Sequence, residues 1–320
     1  MGIPAFPKAR YEAGVRDFGN GCFAYLQPDG GWGLSNAGLV ASDGEAFLID
    51  TLLDLKHTRA MLDGFARVSD AKIGTVFNTH QNGDHWFGND LVHGAEIVAT
   101  ERAAQAMAHE MPDRLAQFMM AAPQLGLTGE YLVHCFGRYE FNGIRAKLPD
   151  KTFTGRLSKQ VGSKRVDLIE VGPAHTGGDA MAYVESDRAV FTGDILFIDG
   201  TPIVWAGPIG NWIAACEMIE GLDVDTIVPG HGPITDQRGV ASVREYLAYI
   251  RDEARNRYDA GLSALEAARS IALDDYASWG DSERIAVNVA TLYREFGDVN
   301  APSDAATVFG WMAQLWKDRK

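Results

Sequence analysis

Short apolar runs alternate with segments of helical spacing through the first two thirds of the chain. Residues 47–50 have the pattern of a buried strand that ends on Asp50, and residues 55–68 have the apolar spacing of a helix. Residues 73–79 predict another strand, which leads directly into a histidine-rich loop. This alternation of strands and helices favours an α/β fold built in layers.

The same alternation continues to about residue 235 and then stops. Further strands are predicted at residues 96–99, 161–171, 180–185, 188–192 and 225–228, and helices within 101–130 and at 211–220. From residue 236 to residue 320 the spacing is helical throughout, enough for about four helices. We therefore predict one domain over residues 1–235 and a helical extension over 236–320, packed on it because no low-complexity linker separates the two.

Length and charge narrow the range of partners. A chain of 320 residues with 46% hydrophobic residues buries a core without help from a structural metal, so a metal site would serve chemistry. The net charge of −14 repels phosphate backbones and anionic lipid. We expect a small-molecule substrate, with no nucleic-acid or membrane partner. The sequence leaves a homo-oligomer open.

Cysteine usage and the chain start predict a cytoplasmic protein. Cys22, Cys135 and Cys216 are odd in number and widely spaced, as reduced thiols are. The first 14 residues lack the apolar stretch of about 7–15 residues that a signal peptide carries.

Four short loops that follow apolar strands place histidine or aspartate beside glycine. They are residues 79–85, reading Thr-His-Gln-Asn-Gly-Asp-His, and residues 172–179, 191–194 and 228–233. Imidazole nitrogens and carboxylate oxygens are the ligands that Zn²⁺ prefers. Gly83 allows its loop to turn so that His80, Asp84 and His85 face the same interior.

These four motifs, in this order, resemble the metallo-β-lactamase superfamily over about residues 18–235. The resemblance implies a four-layer αββα sandwich that carries two adjacent metal sites. Site one would take His80 and His175, site two would take Asp84, His85 and His231, and Asp194 would bridge them. Asp50 matches the aspartate that orients the first loop from behind its metal ligands.

Asn82 departs from the pattern, since it stands where the family has a further histidine. An amide oxygen is a neutral and weak ligand for Zn²⁺ beside an imidazole. We therefore expect one zinc ion in site two, with site one weakly held or empty. Two alternatives stay open: a two-metal centre in which Asn82 contributes its oxygen, or an Asn82 that faces the substrate.

The chemistry that the resemblance implies is hydrolysis. Zinc lowers the pKa of a coordinated water to about 7, which supplies hydroxide to attack an electrophilic carbon. Asp84 or Asp194 would orient the water or pass its proton, and His175 would be an acid–base group if it is not bound to metal. A lyase, cyclase or decarboxylase that uses the metal to polarise a carbonyl is the alternative class.

Aromatic residues near the metal loops predict an apolar or aromatic substrate. We expect residues 198–211 to line the pocket mouth, and the substrate contacts to be Asn82, Trp86, Phe197, Trp205 and Asn211. The altered motif resembles that of hydrolytic dehalogenases such as chlorothalonil dehalogenase. A lactonase, another ester or amide hydrolase, and a thioesterase of glyoxalase II type are alternatives. The histidines outside these loops are interpreted as surface or core residues: His57, His93, His109 and His134.

Overall fold

Two β-sheets stack face to face in the computed structural model, which describes residues 11–319. Within those residues the first sheet has seven strands in chain order: β1 (Gly14–Asp17), β2 (Cys22–Leu26), β3 (Ala37–Ser42), β4 (Glu45–Ile49), β5 (Lys72–Phe77), β6 (Glu96–Thr100) and β7 (Lys151–Phe153). The second sheet has the spatial order β12-β11-β10-β9-β8: β8 (Arg156–Val161), β9 (Lys164–Glu170), β10 (Ala180–Val184), β11 (Ala189–Phe191) and β12 (Thr226–Val228). Most of residues 1–14, on which the signal-peptide expectation rests, lies outside the described residues.

Strand direction explains why the predicted loops meet. β4, β5 and β6 run parallel, and so do β11 and β12. β9 and β11 are each antiparallel to β10, so they share one direction. The carboxyl ends of strands that run the same way lie at the same edge of a sheet. The loops after β5, β9, β11 and β12 are therefore brought to one edge of the sandwich.

Period-two alternation builds a core on both faces of the central strands. In β4, Phe47 and Ile49 face the second sheet, whereas Leu48 faces the opposite side. There it packs in a cluster with Met61 and Phe65 of α1 (Leu55–Ala66). Because both faces are covered, this strand reads as a continuous apolar run in the sequence.

Helices cover the outer faces of both sheets, which gives the predicted four-layer α/β arrangement. The other α-helices are α2 (Glu101–Met107), α3 (Pro112–Ala121), α4 (Gly126–Phe136), α5 (Ile209–Glu220), α6 (Gln237–Asp259), α7 (Ala264–Ser270), α8 (Ile285–Phe296) and α9 (Ala305–Asp318). α5 and α6 pack on the second sheet, where Trp212 and Val240 share a core with Val190. The predicted C-terminal helices are thus present, while their division from residues 1–235 as a separate domain stays a prediction.

Two details differ from the sequence prediction. The strand expected at 161–171 is β9, which begins only at Lys164 because Gly162 turns the chain at a φ of +55°. β8, which precedes this turn and pairs with β9, was not predicted. The strands β1 to β3 were not predicted from the pattern.

The three cysteines are free and buried. None of the helices within residues 11–319 has the length and apolar character needed to cross a membrane.

Asn288 fastens the C-terminal helices to the loop after β11. Its Oδ1 accepts a hydrogen bond from the Val204 backbone N–H at 2.7 Å, and its Nδ2 donates to the Pro202 carbonyl at 2.9 Å. The side chain is fully buried, so both backbone groups depend on it rather than on water.

We expect Asn288→Ala to lower the free energy of unfolding by about 2–4 kcal/mol, because it leaves two buried backbone groups unpaired. Urea denaturation followed by tryptophan fluorescence measures this change. The exposed Asn300 is the matched control, and its alanine variant should stay within about 0.5 kcal/mol of the unmodified protein. Equal stability of the two variants would contradict the fastening role.

Candidate metal centre and its cavity

Asp50 holds the first histidine loop from behind. It lies directly after β4 and is 2% exposed. Its carboxylate accepts hydrogen bonds from the Thr79 backbone N–H at 2.8 Å and the Thr79 hydroxyl at 2.9 Å. His85 Nδ1 lies 2.8 Å from the same carboxylate. Asp50 therefore fixes both ends of the loop, Thr79 and His85. This is the orienting role that the resemblance to the family implied for it.

The four histidines of the loops share one arrangement, in which Nδ1 faces an acceptor outside the cluster. The acceptors are the Thr79 hydroxyl for His80 (3.0 Å), Asp50 for His85 (2.8 Å), the Ile203 carbonyl for His175 (2.6 Å) and the Gly30 carbonyl for His231 (3.0 Å). The Thr79 hydroxyl gives its proton to Asp50, so it accepts from His80. Each Nδ1 therefore carries the ring proton, which leaves a lone pair on each Nε2.

These four Nε2 atoms converge on Asp194. Its carboxylate oxygens lie 3.1 Å from Nε2 of His85, 3.3 Å from that of His175, 3.5 Å from that of His231 and 3.7 Å from that of His80. All of these side chains are buried. Nε2 of His80, Nε2 of His85 and Oδ1 of Asp194 have no hydrogen-bond partner. Lone pairs facing one another in a buried space repel unless a cation lies among them, so these residues fit a divalent metal ion.

Asp84 adds a second carboxylate to the site-two side. Its Oδ2 lies 3.2 Å from His231 Nε2 and 3.8 Å from His85 Nε2. The ligand atoms of Asp84, His85 and His231 lie within 4.8 Å of one another. Those of His80, His85 and Asp194 form a neighbouring group within the same distance. All six residues predicted to hold metal are thus brought together.

The charges of the cluster also favour the binding of a cation. Burial opposes ionisation of Asp84, but His85 and His231 hold the pKa of its carboxyl at about 2. Burial opposes ionisation of Asp194 as well, yet the surrounding histidines, His231 foremost, hold its pKa well below the ordinary value. Burial works against a charged His231, whereas Asp194 and Asp84 raise its pKa to about 9. Two ionised carboxylates in a buried site are balanced by a bound cation or, without one, by protons on the histidines.

Gly230 is required where β12 leads into the last loop. A Cβ there would lie 2.0 Å from Asp194 Oδ1, so any side chain would push the carboxylate out of place. The neighbouring His231 ring stacks on Phe197, with centroids 5.0 Å apart and planes 4° apart. Phe197 thereby supports a metal-type ligand and also lines the cavity above it.

A cavity of about 350 Å³ opens above the cluster, and its walls are mainly apolar. Asn82, Phe197 and Trp205 line it, as predicted. Besides these and the metal-type ligands, its lining includes Trp32, Leu53, Phe87, His109, Glu110, Met111, Arg114, Leu115, Phe118, Phe136, Ile203, Arg284 and Phe309. The cavity thus has mainly apolar walls above a polar base formed by the metal-type ligands.

Two of the predicted substrate contacts do not line this cavity. Trp86 is fully buried behind its loop, where its Nε1 donates to the Gln81 carbonyl at 2.7 Å. The next residue, Phe87, faces the cavity instead. Asn211 lies in the first turn of α5, and its Nδ2 donates to the Pro173 carbonyl at 3.1 Å. These two predictions are wrong for this cavity, because Trp86 is packed behind its loop and the exposed Asn211 side chain is hydrogen-bonded to the Pro173 carbonyl.

Several lining residues were missed by the sequence interpretation. His109, interpreted as a surface or core residue, is exposed as that interpretation allows, but it also lines the cavity beside Glu110. Burial raises the pKa of the Glu110 carboxyl to about 7, although hydrogen bonds from Asn82 and Gln81 oppose this shift. Trp32 and Phe309, which also line the cavity, pack together with ring centroids 5.7 Å apart. No local motif marks these positions, since they come from segments far apart in the chain.

The sequence profile described as the Metallo-beta-lactamase superfamily matches residues 30–231, which is more than half of the chain. The chain belongs to this superfamily. The match extends from before the first of the four loops to His231 in the last one, so the fold that the motifs implied is that of the family.

Individual relatives are distant. The chain is 22% identical over 256 residues to a linear primary-alkylsulfatase of a Pseudomonas species, covering 71% of this chain and 48% of the relative. It is 25% identical over 183 residues to the 2,4-dinitroanisole O-demethylase subunit alpha of a Nocardioides species, covering 55% and 44%. The chain therefore spans about half the length of these curated relatives.

A solved structure supports the same fold. The stereoselective inverting sec-alkylsulfatase of a Pseudomonas species superimposes with a TM-score of 0.66 at 16% identity. The alignment covers 90% of this chain and 51% of the alkylsulfatase. Because it extends beyond residues 30–231, part of the C-terminal helical segment is shared with that structure.

Asp50→Asn should weaken metal binding by about 10- to 100-fold, because Asp50 orients His85 and Thr79 rather than contacting the metal itself. Competition of the metal-free protein with a chromophoric chelator for Zn²⁺ measures the affinity. Asp63→Asn, at an exposed position on α1, is the control and should bind Zn²⁺ as the unmodified protein does. Unchanged affinity in Asp50→Asn would contradict the orienting role.

Proposed function

We propose that the protein is a zinc-dependent hydrolase acting on a small apolar or aromatic molecule. The observation that carries this proposal is the convergence of four imidazole lone pairs and two carboxylates at the base of an apolar cavity. A divalent ion bound there would lower the pKa of a coordinated water toward neutrality and act as a Lewis acid. Asp84, His85, His231 and Asp194 would hold the tighter ion, because this set has two imidazoles and two carboxylates.

The chain's own residues would orient the reacting water. Asp84 and Asp194 are held ionised, so each can accept a hydrogen bond from a water and align it at the base of the cavity. The apolar wall that includes Phe87 and Trp205 would exclude bulk water from the reacting groups. We further propose that the substrate is the principal partner and that the protein is cytoplasmic, which its three buried free thiols support.

The substrate class that we favour is an electron-poor arene or an ester-like alkyl compound. The aromatic wall of Trp32, Phe136 and Phe309 offers ring faces to a flat substrate. One relative is named for O-demethylation of 2,4-dinitroanisole, an electron-poor aromatic ether, and another for linear alkyl sulfates. Halogenated arenes belong to the same electron-poor class, which keeps a hydrolytic dehalogenase among the candidates.

A substrate panel tests the proposal directly. It contains dinitroanisole, a chlorinated aromatic nitrile, alkyl sulfates, lactones, thioesters and β-lactams, each assayed with zinc-loaded and chelator-treated protein. We expect turnover of at least one apolar member that is lost on metal removal and restored by zinc. Turnover that survives complete metal removal would contradict the proposal.

His231→Ala should lower kcat/KM by roughly 10²-fold or more on any substrate so found. The reason is that loss of a metal ligand should cost more than the roughly 10- to 100-fold that is typical for loss of a residue that only orients a ligand. His93→Ala changes an exposed histidine outside the cluster and should retain full activity.

His80→Ala should lose less metal than His231→Ala if site two is the tighter site. Equal metal loss in these two ligand variants would overturn that order of affinity.

Isotope labelling separates hydrolysis from a lyase, cyclase or decarboxylase reaction. In ¹⁸O-labelled water, hydrolysis must place one labelled oxygen in a product, whereas the other classes need not. We expect a product mass increase of about 2 units from one ¹⁸O atom in a single turnover. Product without label, after correction for exchange, would favour the alternative class.

A further inference from the structure

The loop between β2 and β3, residues 27–36, contacts the loop that carries Asp84. Ser35 is fully buried, and its Oγ donates a hydrogen bond to the Asp84 carbonyl at 2.6 Å. The Ser35 carbonyl in turn accepts a hydrogen bond from Gln27 Nε2 at 2.8 Å, which fixes this part of the loop. Ser35 therefore holds a metal-type ligand through the ligand's backbone.

The next residue, Asn36, contacts the loop that carries His231. Its buried Nδ2 donates to the Pro229 carbonyl at 3.0 Å and to the Gly232 carbonyl at 2.8 Å. These two carbonyls lie on either side of His231 in the chain. The Asn36 backbone N–H also donates to the Gly230 carbonyl at 2.7 Å. Three hydrogen bonds from one residue thus hold the loop around this histidine.

Gly30, in the same β2–β3 loop, packs directly against the backbone of the His231 loop. Its carbonyl accepts the hydrogen bond from His231 Nδ1 at 3.0 Å. It has a φ of +80°, and a Cβ on it would lie 2.7 Å from the Gly232 nitrogen. Both the conformation and the close approach therefore require glycine at this position. The two loops are in backbone contact at Gly30 as well as at Asn36.

These contacts matter because Asp84 and His231 come from different sheets. Their loops follow β5 of the first sheet and β12 of the second, so strand pairing does not fix the distance between them. Even so, Asp84 Oδ2 lies 3.2 Å from His231 Nε2. The β2–β3 loop is hydrogen-bonded to both ligand loops through buried side chains, which hold backbone groups that water does not reach.

We infer that Ser35 and Asn36 are positioning residues: together they hold the Asp84 loop against the His231 loop and so set the spacing of these two metal-type ligands. The inference rests on the proposed metal-dependent function, because Asp84 and His231 belong to the set proposed for the tighter ion. Its basis is separate from that of Asp50, which acts within the first loop alone.

The test is competition of metal-free protein with a chromophoric chelator for Zn²⁺. Asn36→Ala removes both side-chain hydrogen bonds to the His231 loop and should weaken binding of the tightest ion by about 10- to 100-fold. Ser35→Ala removes one hydroxyl and should weaken it by about 3- to 10-fold, which corresponds to one hydrogen bond. Circular dichroism checks that each variant is folded under the assay conditions. If Asn36→Ala does not fold, Ser35→Ala decides the test.

Two matched controls remove similar hydrogen bonds elsewhere. The Gln237 amide on α6 donates to the Ile219 carbonyl at 3.2 Å and to the Leu222 carbonyl at 3.4 Å. The Tyr249 hydroxyl donates to the Ala272 carbonyl at 2.6 Å. Gln237→Ala is matched to Asn36→Ala, and Tyr249→Phe to Ser35→Ala. Both controls should bind Zn²⁺ as the unmodified protein does, even where their stability is lower, because a folded protein keeps its ligands in place.

A spectroscopic measurement separates positioning from a merely structural role. With Co²⁺ in place of Zn²⁺, the visible absorption bands report the geometry of the ligands around the ion. Asn36→Ala and Ser35→Ala should change the position or intensity of these bands, and the two controls should not. Spectra of Asn36→Ala and Ser35→Ala that match the unmodified protein would overturn the positioning role, even if the affinity were lower.

The remaining outcomes separate this inference from the proposed function. Unchanged Zn²⁺ affinity in both Asn36→Ala and Ser35→Ala would overturn the inference and leave the hydrolase proposal standing. An equal loss of affinity in Gln237→Ala would also overturn it, because the loss would then follow stability and not the β2–β3 loop. Failure of the unmodified protein to bind any divalent ion would refute the proposed function itself.

Discussion

The central constraint is that four Nε2 lone pairs and two carboxylates face one another inside a buried space. Such an arrangement is unfavourable alone, so the rest of the fold must hold it in place. Each histidine is fixed through its outward nitrogen, and Asp50 secures the first loop through Thr79 and His85. Parallel strands bring the loops to one edge, and Gly230 leaves room for Asp194. Folding energy thus preorganises a cluster that a cation can stabilise.

The cavity depends on parts of the chain that contain no motif. The loop before α3 supplies Glu110 to the lining, and α9 supplies Phe309. Asn288 connects α8 to the loop that carries Ile203, whose carbonyl fixes His175. The C-terminal helices therefore do more than cover the second sheet. They help to form the cavity, and they position the backbone carbonyl of Ile203 that supports His175.

The sequence predicts functional residues correctly where each of them lies in a short loop at the end of a strand. The six metal-type ligands were predictable because each lies in a short loop directly after an apolar run. It failed for Trp86, because adjacent residues in a tight turn face opposite ways and nothing in the sequence chose Trp86 or Phe87 as the cavity residue. Trp32 and Glu110 could not be predicted, since only tertiary packing brings them to the site. β8 was missed because half its positions are exposed and polar.

The exchange of histidine for Asn82 has a consequence beyond the loss of one strong ligand. An imidazole has one inward lone pair once its other nitrogen is bound, whereas an amide can present either a donor or an acceptor. The surroundings of Asn82 must therefore specify which end of the amide faces the metal-type ligands. Its Oδ1 lies 2.8 Å from His175 Nε2, and its Nδ2 lies 3.5 Å from Glu110 Oε2 on the cavity wall. Burial raises the pKa of the Glu110 carboxyl to about 7, so the charge on this part of the cavity wall changes near neutral pH. The residue that replaces the histidine thus contacts both the metal-type ligands and the cavity wall, and the loop sequence alone does not show the second contact.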